Sequence, residues 1–115
     1  MTQPKIQIDV RSPVQGVSIL DIRGEITGSA EEALFTAYSA ASSNTRAIIL
    51  NLSEVPSIDS LGAGLLITLL ARVHKQRQRL LAYDLSENCR RAFELTHLDE
   101  KVGLYTDEAG ALGSF

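Results

Sequence analysis

The stretch "RAIILNLS", Arg46 to Ser53, constrains the fold more than any other part of this chain. It is a nearly continuous apolar run with β-branched residues, without the alternation of a half-exposed strand. Such a run reads as a strand covered on both faces, as in parallel sheets flanked by helices. "RLLAYDL", Arg79 to Leu85, is a second strand of the same kind. Ile6, Ile8 and Val10 instead alternate with polar residues, the period of a half-buried strand. "SPVQG" (Ser12 to Gly16) supplies turn residues, and "VSILDIRG" (Val17 to Gly24) reads as the second strand of a hairpin. A short last strand is expected in "VGLYTD".

Between the strands the period changes. In "TGSAEEALFTAYSAAS" Ser29 is placed to cap, Glu32 follows three residues on, and Ala33, Leu34, Ala37, Tyr38 and Ala41 recur at helical spacing. A long helix is expected from Ser60 to about Gln78, a third is opened by Ser86 in "SENCRRAFELTHL", and "DEAGALG" forms a final short one broken by Gly110 and Gly113. The order is β-β-α-β-α-β-α-β-α. It predicts an α/β fold, a mixed sheet packed against helices, in one domain spanning residues 1–115.

Charge and composition remove several functions. A net charge of -3 provides no basic field for a polyanion, so nucleic acid is not expected as a partner. The N-terminus "MTQPKIQID" has no apolar stretch of signal-peptide type. The longest apolar-rich run, Leu61 to Ala71, is about half the ~20 residues that span a bilayer. A cytoplasmic protein without membrane contact is expected. The one cysteine, Cys89, has no disulfide partner and no companions at metal-ligand spacing, and reads as a semi-buried helix residue.

The most informative turn is "PSIDSLGAG", Pro56 to Gly64. After it, Leu65, Leu66, Leu69, Leu70 and Val73 share the broad helix side expected to face the sheet. Ser60, Gly64, Ile67 and Ala71 fall on the opposite side, where a helix on a sheet ordinarily carries charge. Either a neighbouring helix covers this small, apolar stripe, or it is a docking surface with Ser60 at its upper end. Ser60 itself has two readings. Its oxygen caps the helix, as Asp59 is equally able to do, or its hydroxyl receives a phosphate. A helix N-terminus accommodates an anion, and phosphate adds roughly -1.5 to -2 charges without unfolding the helix.

Catalytic chemistry is harder to assemble. "GAG" lies within a helix and has no following lysine, so no phosphate loop is present. His74 and His97 are far apart, and no base is evident for a nucleophilic serine. "HKQRQR" (His74 to Arg79) is explained by the helix C-terminus it follows. No enzyme, cofactor or metal is expected, and a nucleotide-binding role is the weakest reading.

"IILNLSEVPSIDSLGAGLL" resembles the central signature of STAS domains, the anti-sigma factor antagonists of bacteria. "LDIRGEI" resembles the second strand of that family and "RRAFELTHLDEKVGLYTDEAGAL" its C-terminal part. The resemblance implies a mixed sheet of four to five strands with about four helices, mainly on one side. It also implies a role without catalysis. Such antagonists, when unphosphorylated, capture an anti-sigma serine kinase of histidine-kinase-like ATP fold. Phosphorylation releases the kinase, and a metal-dependent serine phosphatase resets the switch. Carried onto this chain, the phosphoacceptor is Ser60, supported by Asp59 and Gly62 in the turn, and the partner-binding set is Thr27, Ser60, Leu61, Gly64, Ile67 and Ala71.

The chain departs from the family pattern at Leu61, where a second serine is common, and at Thr27 and Asn51, where aspartates are common and face the partner end. Thr27 and Ser57 are additional candidates for phosphorylation. The competing expectation is a structural STAS scaffold in a stress-signalling or transport complex, with a homo-oligomer formed through the same stripe and Ser60 only a cap.

Overall fold

The computed structural model describes residues 6–41 and 44–115. Five strands form one sheet in the spatial order of the chain: β1 (Gln7–Val14), β2 (Val17–Arg23), β3 (Ala47–Glu54), β4 (Arg79–Tyr83) and β5 (Gly103–Tyr105). β1 pairs antiparallel with β2, and β2 through β5 run parallel. The helices are α1 (Glu31–Ala41), α2 (Ser60–Lys75), α3 (Glu87–Leu95) and α4 (Glu108–Leu112).

The apolar run in β3 divides between two cores. Ile48, Leu50 and Leu52 face the larger cluster, with Leu34 and Tyr38 of α1, Leu66 and Leu69 of α2, and Phe93 of α3. Ala47 and Ile49 face a smaller cluster, with Ile19, Leu81, Tyr83 and Ala111 of α4. Two covered faces explain why no alternation was visible in this segment. Three helices therefore lie on one side and α4 on the other.

Several boundaries differ from the sequence expectation. The residues Ser12 to Val14, expected as a turn, continue β1, and the reversal falls at Gln15 and Gly16, where Gly16 adopts φ +82. Pro13 is tolerated because β1 is an edge strand, and the ladder shifts register between Arg11 and Val14. Ser29 does not cap α1. Thr27 caps a short 3-10 turn, Gly28–Ala30, by accepting from the Ser29 N–H at 3.2 Å, and α1 follows from Glu31. α2 ends at Lys75 rather than Gln78. Arg77 takes a left-handed conformation, and Gln78 turns inward to accept from the Tyr38 hydroxyl (2.7 Å) and donate to the Thr45 carbonyl (2.8 Å). Gly110 sits inside α4, which Asp107 caps.

On the α4 face, Arg11 of the edge strand clamps two carboxylates. It donates to Asp21 at 2.5 Å and to Glu108 at 2.6 Å, and the Tyr83 hydroxyl donates to Glu108 at 3.0 Å. The hydrogen bonds from Arg11 hold both carboxyls below their usual range. Burial, followed by the bond to Glu108, pushes the Tyr83 hydroxyl up to about 12. Carboxyls whose pKa is depressed on folding contribute stability above the unfolded value, about 4, and lose it as pH falls through the lower folded values. The advantage of wild type over Arg11→Met is expected to be on the order of 1 kcal/mol at neutral pH, given the exposure of Arg11, and to shrink below about pH 4. Thermal melts of both proteins from neutral to acidic pH check this; a gap that widens on acidification would be the wrong sign.

Candidate functional site

Two loops meet at the carboxyl ends of β2 and β3. Ile26 and Ile58 form an isolated parallel bridge, the Ile26 N–H donates to the Ser57 carbonyl (3.1 Å), and the Asp59 N–H donates to the Ile26 carbonyl (3.1 Å). The first turn of α2 lies so close to Ile26 that a Cβ at Gly62 would stand 2.0 Å from the Ile26 carbonyl oxygen. Gly62 thus permits a backbone approach that any side chain would block. From the other flank, the start of α3 grips the same loop: Asn88 and Ser86 donate to the Pro56 carbonyl, and the Cys89 thiol to that of Val55. Cys89 is fully buried rather than semi-buried, and burial raises its thiol pKa.

The cap of α2 is Asp59, not Ser60. Asp59 has extended backbone (φ -85, ψ 179), and its carboxylate accepts from the Gly62 N–H at 2.7 Å. Ser60 is the first helical residue. With the capping position taken, its hydroxyl has no hydrogen-bond partner among the described residues, and the residue is exposed. Its neighbours differ. Ser57 donates to Glu25 (3.0 Å), Thr27 and Ser29 bond each other (2.8 Å), and Ser53 donates to Asn51 (2.7 Å). Asp59→Ala is expected to cost about 1 kcal/mol, with Asp59→Asn recovering most of it, as read from denaturant midpoints.

The stripe on α2 is uncovered. Ser60, Gly64, Ile67 and Ala71 are all exposed, while Leu66, Leu69, Leu70 and Val73 are buried and Leu65 is half-buried. Ile67 is 46% exposed and Leu61, at its upper end, 69%. Leu61 leans on the neighbouring loop, where a Cβ at Gly28 would meet its side chain at 3.1 Å. Thr27, Ser60 and Leu61 thereby belong to one surface. Asn51 does not. It lies at the same end of the sheet but on the α4 face, donating to Asp21 at 2.7 Å.

The sequence reading missed the Ile26 carbonyl, the Glu25–Ser57 bond and the groove between α1 and α2, where the Arg72 guanidinium lies 4.4 Å from the Phe35 ring centroid. Gly62 was the available signal for the first. Among the described residues no group of three or more His, Cys, Asp or Glu is placed to hold a metal ion, and no helix is long and apolar enough to cross a membrane.

Solved structures share this architecture. An anti-sigma factor antagonist from Mycobacterium paratuberculosis is 27% identical, with a TM-score of 0.80 over 99% of this chain and 97% of that one. A putative anti-sigma factor antagonist from Thermotoga maritima is 23% identical, with a TM-score of 0.81 over 93% and 92%. The Bacillus cell-fate determinant SpoIIAA in its phosphorylated form is 19% identical, with a TM-score of 0.72 over 94% and 99%. A comparison with curated proteins found no match. The STAS domain family model matches residues 6–111, nearly the whole of the fold described above, and the chain belongs to the STAS domain family.

Proposed function

We propose that this chain is a non-catalytic anti-sigma factor antagonist that binds an anti-sigma serine kinase through the exposed stripe of α2 and is switched off by phosphorylation of Ser60. The observation that carries the reading is the free, exposed Ser60 hydroxyl at the head of an uncovered apolar stripe, amid neighbouring hydroxyls that are already hydrogen-bonded. A kinase has direct access to Ser60 and must break existing bonds to reach Ser57 or Thr27. Leu61, Gly64, Ile67 and Ala71 supply the contact beyond the serine, and Thr27 flanks it. The structural neighbours described as anti-sigma factor antagonists, SpoIIAA in its unphosphorylated form among them, support the same role, as does the structure of SpoIIAA in its phosphorylated form.

The switch needs no refolding. Asp59 keeps the helix capped whether or not Ser60 carries phosphate, and the helix N-terminus tolerates the added anion. What changes is the partner-facing charge. In a kinase that has just transferred its γ-phosphate, the new phosphoserine faces the remaining nucleotide phosphates and is repelled. A metal-dependent serine phosphatase is the partner that restores the neutral hydroxyl, and the site of action is the cytoplasm.

The test is intact-mass and peptide mapping after incubation with ATP and the candidate kinase. One added phosphate on wild type, absent from Ser60→Ala, is expected. Phosphate on Ser57 or Thr27 with Ser60 unmodified would overturn the assignment. Stable kinase binding without transfer to any residue would favour the scaffold role.

A further inference from the structure

We propose that this chain pairs with a second copy of itself along the outer edge of β1, joining two five-stranded sheets into one. The inference stands apart from the Ser60 switch, because β1 is the edge strand and α2 follows β3, two strands further into the sheet.

β1 is eight residues long, and among the described residues nothing pairs with its outer edge. A long free edge is a template for another strand. The features that blunt it, Pro13 and the shift in register, come after Arg11 and leave Gln7 to Arg11 regular. In the middle of the strand Val10 is 37% exposed, an apolar residue with its side turned to solvent.

The charges select both the partner and the register. Asp9 and Arg11 flank Val10 on the opposite, α4 face of the sheet. Two antiparallel copies related by a two-fold axis through Val10 place Val10 against Val10. The same axis sets each Asp9 directly opposite an Arg11 of the other copy. Moving the axis to the next residue in either direction places Asp9 against Asp9 or Arg11 against Arg11. Directly opposed unlike charges stabilise a strand pair and like charges destabilise it, so one register is favoured over its neighbours.

A second feature points the same way. Within one chain Asp9 lies directly across from Asp21, a like-charge pair tolerated because Arg23 pairs with Asp9 and Arg11 with Asp21. On the outer side Asp9 faces open solvent. Pairing brings the Arg11 of a second copy beside Asp9, where its guanidinium shares its donors between that Asp9 and the Asp21 and Glu108 of its own chain.

Sedimentation velocity on the full chain from about 1 µM to about 500 µM tests this, with the dimer expected to form reversibly in that range. Raising salt should weaken it, because the opposed pairs are exposed. Asp9→Arg sets like charges opposite each other twice and should weaken pairing by about tenfold or more. Its residual association should strengthen with salt, the reverse of wild type, while its melting temperature stays close to wild type because the lost Arg23 pair is at the surface. Asp9→Asn, a milder change, should fall between the two. Amide exchange at Gln7 to Arg11 should slow as protein concentration rises. A monomer at every concentration would overturn the proposal and leave Asp9 and Arg11 as guards against edge pairing. A dimer indifferent to Asp9→Arg but lost in Ile67→Glu would overturn it too, moving the contact to α2.

Discussion

Gly62→Ala should lower stability by about 3 kcal/mol or more, the upper end of what overpacking costs, whereas Gly64→Ala, two residues along the same helix, should raise it by up to about 1 kcal/mol. At Gly62 the new methyl would sit 2.0 Å from the Ile26 oxygen and 2.6 Å from its carbon, both backbone atoms that no rotamer change can move aside. α2 would have to lift from the loop, stretching the Asp59-to-Ile26 hydrogen bond and the Ile26–Ile58 bridge. At Gly64 a Cβ meets nothing within 4 Å, so alanine there contributes only its better helix propensity. Urea melts of the two variants read opposite signs. For Gly62→Ala the thermal midpoint should drop by roughly 10 °C or more. Equal midpoints would mean that the contact at Ile26 is not tight.

The second large effect concerns binding. Ser60→Asp is expected to weaken kinase binding by about a hundredfold or more, since a buried like-charge contact costs several kcal/mol. The same substitution should leave the melting temperature unchanged or slightly raised, because an added anion at a helix N-terminus contributes about 0.3–1 kcal/mol. Lost binding with retained stability separates a charge switch from damage to the fold. Calorimetric titration alongside a thermal melt measures both. Full binding by Ser60→Asp would make the serine a bystander and favour the scaffold.

These two glycines and one serine also show how far the sequence could be read. The β3 run was informative because burial on both faces removes any polar alternation, and the two core clusters account for every residue of Ala47 to Leu50. The stripe on α2 was visible as a pattern, but whether another helix covered it was decided only by three-dimensional neighbours. Asp59 and Ser60 are adjacent residues of similar capping ability, and the choice between them depended on the extended backbone at Asp59. Pro13 suggested a turn locally, yet an edge strand tolerates it. Asn51 faced away from the site because a strand alternates its side chains, and the register with Asp21 and Tyr83 fixes which face it takes. The long-range contacts at Ile26 left one trace in the sequence, the glycine at position 62.

The bridge between Ile26 and Ile58 has a consequence for how this surface can be exchanged among relatives. The segment after β2 and the start of α2 are a single hydrogen-bonded unit, closed by a glycine that fits against one particular carbonyl. Transplanting α2 alone into another STAS domain would carry Ser60 and Leu61 but leave their backing behind. If the proposed kinase contact is made here, partner preference belongs to two chain segments some thirty residues apart, acting as one cassette. A chimera that moves residues 25–30 together with 56–67 should transfer binding where either half alone does not.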